Sequence, residues 1–486
     1  MPSKSSSPPF GIHWRSSSTF ILGCVSIALF TDLFLYGIVV PLLPFILERR
    51  LHLPHSEIQE GISLLLAYYA GSSVISSIPV GYLTDNLPSC RLPFLIGLLS
   101  MFTSTLLLWL GQSWTILALA RVFQGISASL VWTVSLTLVL STVGNKRLGI
   151  ALSSIFGFVS FGQLIAPVIG GVVYQHLGEG WVFSIGFILL FVDLVMRIFI
   201  VEKDAVKRNG WDKMSAPLPD DVVTSSETSP LISNENDSNA DITKWKLPPN
   251  VSSWFSKFPI LYLVATSPRI LTSLLLCYTN AVTLAIFDAT LPLQGLDLFS
   301  FSSRSTGLLF VPLVLPCIII SPVIGACVDR YGTKIPTVIG LLILTLPLIL
   351  LSTVKAVPPG GEGYISEVAK FGTLLLVCGI GIASTGPESL IEQSYVIGNY
   401  EKSNPECFPH GAPYAQLYAI TNMTFCLGLT LGPLVASFIK LNFGYIVMNY
   451  CLAAWCIIVS IVCLFFLGEK PQIWLKMSRR EVQSSG

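Results

Sequence analysis

The stretch Gly325-Ala-Cys-Val-Asp329-Arg330-Tyr-Gly332-Thr-Lys334 follows a long apolar run, and a weakened copy, Gly81-Tyr-Leu-Thr-Asp85-Asn86-Leu-Pro88-Ser-Cys-Arg91, follows another such run much earlier in the chain. Glycine and aspartate keep their spacing in both copies. Asn86 stands where the second copy has Arg330, Pro88 where it has Gly332, and the basic residue arrives late as Arg91. A further pair falls in the same order: Gly162-Gln-Leu-Ile-Ala166-Pro167-Val-Ile-Gly170-Gly171 and Gly428-Leu-Thr-Leu-Gly432-Pro433. Two motifs repeated in one order describe a chain made of two halves of one design.

Around these motifs the apolar residues gather into twelve runs, at about 20–47, 61–83, 92–111, 114–141, 149–174, 181–201, 270–297, 305–327, 335–353, 371–397, 413–439 and 443–468. Each is long enough to cross a hydrocarbon core of roughly 30 Å at about 1.5 Å per residue. Composition agrees: 52% of residues are hydrophobic and 11% charged, against roughly 25% charged in a soluble domain. So few charges cannot cover the surface of a water-soluble chain, and the expected fold is an all-α membrane protein of twelve transmembrane helices in two six-helix bundles, its surface against the lipid bilayer. A net charge of +1 supplies no basic field for nucleic acid. The eleven cysteines lie mostly inside apolar runs without ligand-like spacing, so no metal site or cofactor is expected.

Lys and Arg give the orientation. With both termini cytoplasmic, 20 of the 28 basic residues lie inside, six outside and two, Arg121 and Arg197, within spans, as the positive-inside rule requires. The expected organisation is a cytoplasmic tail at 1–19, a bundle at 20–201, a largely disordered cytoplasmic linker at 202–269, a second bundle at 270–468 and a tail at 469–486. The first run is too long for a signal-peptide core and reads as a retained span.

Charges inside spans mark the candidate site. Asp32 lies near the midplane of span one, where an isolated carboxylate costs roughly 2.5–3.5 kcal/mol on insertion scales. Taking up a proton relieves that cost, which suits a reversible proton carrier. Asp288 lies at comparable depth in span seven. Glu388 and Glu392, four apart on one face of span ten, are candidates for coupling or for plain solvation at the cytoplasmic end. Asp193 and Arg197, also four apart, read as a structural pair. Arg121 in span four is either a cavity-lining cation or a tie to backbone carbonyls of span one. The aromatics Trp132, Phe123, Phe287 and Tyr36 are candidates for an apolar site.

These motifs resemble the major facilitator superfamily over nearly all the chain outside the linker and tails. The pattern Gly-x-x-x-Asp-Arg-x-Gly-x-Lys is complete at 325–334 and degraded at 81–91. The resemblance implies a gate latch formed by Gly81, Asp85, Arg91, Gly325, Asp329, Arg330 and Lys334, whose aspartates pair with the opposite half. Arg121-Val-Phe-Gln124-Gly125 resembles the Arg-x-x-Gln-Gly pattern of the same superfamily. Gly162, Pro167, Gly170 and Gly171 resemble the antiporter motif of its drug:proton antiporters. Span one, span eleven and the acid of span seven resemble the vesicular monoamine transporters, in which Asp32 matches an amine-recognising carboxylate and Asp288 a cavity glutamate. Asn422, however, replaces an aspartate implicated in proton coupling, Tyr69 stands where a lysine is expected, and Ser384 lies about where span ten has another aspartate.

The resemblance thus implies a secondary transporter exporting a drug-like compound or fungal secondary metabolite in exchange for protons, as a monomer. Its membrane would be the plasma membrane, or a vacuolar or other internal one. An importer or facilitator, or a non-transporting sensor, is the alternative. No nucleotide-binding loop suggests an ATP-driven pump, and no grouping of nucleophile, base and orienting residue suggests an enzyme.

Overall fold

The computed structural model describes residues 11–39, 42–52, 54–87, 89–208, 211, 245–246, 259–301, 308–408 and 411–468. Most of the linker expected at 202–269, and the carboxy-terminal tail, lie outside the described residues. Twelve helices have the length and hydropathy of membrane spans, and no strand occurs among the described residues. They are α1 Ser18–Val39, α2 His55–Asn86, α3 Arg91–Leu110, α4 Trp114–Val143, α5 Leu148–Leu177, α6 Glu179–Phe199, α7 Pro268–Phe299, α8 Phe310–Tyr331, α9 Lys334–Leu351, α10a Tyr364–Ala383 with α10b Glu388–Ser403, α11 Tyr414–Phe443 and α12 Tyr445–Phe466.

The surface has the polarity of a protein whose solvent is lipid. Ile75, Leu99, Phe465 and Leu441 are exposed, whereas Arg121, Glu388, Gln393 and Ser153 are withdrawn into the interior. Helices tolerate that environment because each satisfies its own backbone. α1–α6 form one bundle around two apolar clusters, one centred on Leu35, Met101 and Phe183 and the other on Leu29, Val134 and Leu152, the latter continuing across the interface to Val328, Leu390 and Tyr418. α7–α12 form the other, around Phe287, Leu344 and Phe371.

Span ten differs from its expectation. The apolar run at 371–397 is not one helix: it ends at Ala383 and restarts at Glu388. Pro387 accounts for the break, since it has no N–H to continue the ladder and disfavours helical geometry in Gly386 before it. The two repeat loops also differ for a local reason. Gly332 closes α8 at φ 85°, which glycine adopts freely. Pro88 at the matching place cannot adopt a positive φ, and Leu87 before it is extended at φ −90°, ψ 142°, as a residue preceding proline prefers.

The bundles meet where α5 crosses α8 and α2 crosses α11. Small residues permit both crossings. A Cβ on Gly325 would stand 2.4 Å from the Gly149 carbonyl oxygen, and one on Gly81 would stand 2.6 Å from the Ala419 Cβ. Neither crossing has room for a methyl group.

Candidate functional site

At one end of the molecule the crossings are locked by carboxylates. Asp85, at the end of α2, accepts hydrogen bonds from the backbone N–H groups of Ala415 and Gln416 at 2.9 Å each. Asp329, at the end of α8, accepts from Gly149 and Ile150 at 2.8 and 2.9 Å. Each aspartate thereby caps the first turn of a helix in the opposite bundle, α11 or α5. Helix starts carry unsatisfied N–H groups and partial positive charge, so a carboxylate is the natural partner. The repeated motif thus places the same bond twice, once from each half.

The basic members of the motif go elsewhere. Arg91 donates from Nη2 to the Ile198 carbonyl at 2.9 Å and from its backbone N–H to Glu202 at 3.0 Å, neither of them in the opposite bundle. Arg330 lies beside the Tyr331 ring, 5.4 Å from its centroid. Lys334 opens α9 beside Gly468. Within the repeated motif, the cross-bundle bonds among the described residues come from the aspartates.

The glycines of the span-five motif serve a contact inside the first bundle. Cβ atoms on Gly162 and Gly170 would meet the Phe30 ring and the Ile38 carbonyl at 2.6 Å, and Ala166 and Pro167 pack against Gly37 of α1. Gly171 has open space beside it. In the second half Gly428 and Gly432 press on Ala281 and Val282 of α7 in the same manner.

Between the bundles lies a cavity walled by Trp132 and Leu136 of α4, Phe156 of α5, Cys277 and Asn280 of α7, Gly386, Ser389 and Leu390 at the break and start of α10b, and Thr421, Asn422 and Phe425 of α11. Its walls are apolar with a few fixed polar groups, the chemistry of a small organic ligand site. Asn280 Nδ2 donates to Thr385 Oγ1 at 2.9 Å, which ties α7 to the break in α10. Asn422 Nδ2 donates to Ser77 Oγ at 3.0 Å and to Ser73 Oγ at 3.4 Å, bridging α11 to α2 across the bundle interface.

Asp32 sits behind this wall. It is buried, accepts from Trp132 Nε1 at 3.1 Å through Oδ2, and has no partner for Oδ1 among the described residues. Asp288 is on the side away from the latch, accessible although set among the helices, and both it and Arg121 act electrostatically on Tyr36 of α1. The span-four arginine does not tie α4 to carbonyls of α1. Arg121 is fully buried, bonds only Gln124 Oε1 on its own helix at 2.6 Å, and leaves Nε and Nη2 without partners among the described residues. Phe287 is buried in the second bundle's core, and the backbone carbonyl of Phe123 accepts from Ser100 Oγ.

Span six does hold a buried ion pair. Arg197 donates to both oxygens of Asp193, at 2.8 and 2.5 Å, and to the Phe94 carbonyl at 2.5 Å. Its guanidinium stacks 3.9 Å from the Phe94 ring centroid.

Neither glutamate of span ten is solvated. Glu392 accepts from Arg269 Nε at 2.7 Å, Thr333 Oγ1 at 2.5 Å and the Gly468 N–H at 2.9 Å. Glu388 is equally buried, and its carboxyl oxygens have no hydrogen-bond partner among the described residues. Sequence reading missed Arg269 and Thr333 as partners. Thr333 lies inside the quoted motif, but Arg269 reads only as one more basic residue at the end of the linker.

Two bundles related by an internal repeat, an interfacial cavity and a lock at one end define a secondary transporter. The match to the Major Facilitator Superfamily model covers residues 25–396, and the chain belongs to that family. Among its relatives are the MFS-type transporter ppzB of Metarhizium rileyi, 35% identical over 95% of this chain and 97% of its own length, and the MFS-type transporter C18.02 of Schizosaccharomyces pombe, 34% identical over 93% and 96%. The human synaptic vesicular amine transporter is 20% identical over 86% of this chain and 68% of its own length. The crystal structure of the human organic anion transporter MFSD10 shares the fold, with a TM-score of 0.63 at 17% identity over 92% of this chain and 99% of that one.

Proposed function

We propose that this transporter exports a small organic molecule, a drug-like compound or secondary metabolite, in exchange for protons. The observation that carries the reading is the half-bonded Asp32 carboxylate behind the cavity wall, with the far end of the pathway closed by Asp85 and Asp329. Asp32 takes a proton when the pathway faces the acidic side and returns it when the bundles rock, and substrate occupies the cavity in the alternate state. Asp288 is the second site, open on the side away from the latch. Inward proton movement contributes about 2.3 kcal/mol per 100 mV for each charge. The cargo is not assigned by analogy to amine transporters, because Asn422, Tyr69 and Ser384 replace charged residues expected in that branch.

The test is efflux driven by an imposed pH gradient from cells or vesicles containing the full chain, with exported compounds compared against a deletion strain. Asp32→Asn is expected to reduce proton-driven efflux by about tenfold or more, a loss of at least about 1.4 kcal/mol of driving or coupling. Efflux of unchanged rate and pH dependence in Asp32→Asn refutes the assignment. Uptake driven by external acid would instead establish import.

A further inference from the structure

The two glutamates of α10b are one helical turn apart and in opposite circumstances. Glu392 is saturated by a guanidinium, a hydroxyl and a backbone N–H. Glu388 has 0% exposure, and neither of its carboxyl oxygens has a hydrogen-bond partner among the described residues. Of the titratable and charged groups on the elements packed against α10b, Asp288 is exposed, Asp297 pairs with Lys440 and Cys426 donates to Ser73 Oγ. Arg269 holds Glu392, Cys277 donates to the Thr421 carbonyl, Tyr414 donates to Glu401, and Tyr418 shares a hydrogen bond with Ser394. Arg147 and Glu406 are exposed.

An ionised carboxylate with no counterion and no donor, removed from water, is the costliest arrangement available to this side chain. Its neutral form costs far less. Glu388 also stands directly after the interruption of α10, and its neighbours Gly386, Ser389 and Leu390 face the central cavity. Rearrangement at the break would bring water within one residue of the carboxyl. Once wet, the ionised form is solvated and sits in the partial positive charge at the start of α10b.

We propose that Glu388 is a proton-binding site in the second bundle, protonated in the latched conformation and discharged when the break in α10 admits water. In the discharge step the carboxyl O–H bond breaks, its electron pair stays on the carboxylate, and the proton passes to water. Glu392 is then the fixed anchor that holds α10b while Glu388 changes state. The use of this site in transport rests on the antiport reading above; its protonation does not.

The experiment is infrared difference spectroscopy of the purified full-length protein between acidic and alkaline buffer, with thermal unfolding alongside. Wild type is expected to show protonated-carboxyl C=O absorption that shifts in D2O, and one band of it is expected to disappear in Glu388→Gln but persist in Glu392→Gln and Asp32→Asn. Glu388→Gln mimics the neutral acid and keeps the wild-type unfolding midpoint, whereas Glu392→Gln lowers it. Survival of the band in Glu388→Gln overturns the proposal. So does a Glu388→Gln protein as destabilised as Glu392→Gln, since the carboxylate would then be a bonded anion. Loss of the wild-type band on adding Na⁺ at fixed pH would also overturn it, by assigning the site to a metal cation. A titrating Glu388 band in a protein whose efflux ignores pH would refute antiport and leave the proton site standing.

Discussion

Asparagine in place of both Asp85 and Asp329 is expected to open the latched end and raise the alkylation rate of cavity residue Cys277 by on the order of a hundredfold. Each aspartate accepts two backbone N–H bonds from the opposite bundle. Asparagine can keep one of them, but it turns its own NH2 group toward the other donor. Hydrogen bonds to a charged acceptor contribute about 1.5–3 kcal/mol each. Both sites are partly accessible, so the lower end applies, and two independent losses of about 1.5 kcal/mol sum to about 3 kcal/mol, roughly a hundredfold shift in population. Cys277 lines the cavity and is buried, so its modification by an impermeant reagent applied from the latched side, mapped by peptide mass spectrometry, reports the opening. Either single substitution should give about a tenfold rise. An unchanged rate in the double variant would mean that packing at Gly149, Gly325 and Gly81 holds the end shut without the carboxylates.

The repeat makes that latch partly legible in the sequence. Gly325 to Lys334 and its damaged copy mark where helices end and bundles cross, because both glycine and aspartate have local reasons to be there. The recipients of the aspartate bonds were hidden: Ala415 and Gln416 look like any start of a helix, and only the three-dimensional crossing brings them to Asp85. The same limit separates Glu388 from Glu392. They occupy one face of one helix, but Glu392 lies beside Arg269, 123 positions away in the chain, and Glu388 has no such neighbour among the described residues. Periodicity reports a face; it does not report what the face meets. The interruption of span ten has its cause in Gly386-Pro387, but the apolar composition on either side reads as one continuous span. Arg121 was the reverse case. Its cost in a span is evident, but that it meets no acceptor beyond Gln124 among the described residues is a fact of packing.

Breaking the Asp193–Arg197 pair from one side should be the most destabilising substitution in the first bundle, and removing both charges together should recover most of the loss. Both side chains are nearly inaccessible, at 1% and 2%, in a helix that crosses the membrane. Asp193→Leu strands a guanidinium whose remaining bond is to the Phe94 carbonyl. Arg197→Leu strands a carboxylate and that carbonyl together. Orphaning one member of a buried pair costs about 3–5 kcal/mol, whereas apolar replacement of both is commonly near neutral. Here the double replacement should fall short of neutral, because the Phe94 carbonyl loses its donor, at about 1–3 kcal/mol, and its ring loses the stacked cation. Unfolding midpoints of Asp193→Leu, Arg197→Leu and Asp193→Leu/Arg197→Met in one detergent should therefore rank the double variant above both singles and below wild type, with proton-driven efflux retained in the double. A double variant that keeps its stability but loses efflux would show that the pair acts on Asp32, which both charges reach electrostatically, and would move it from scaffold to coupling machinery.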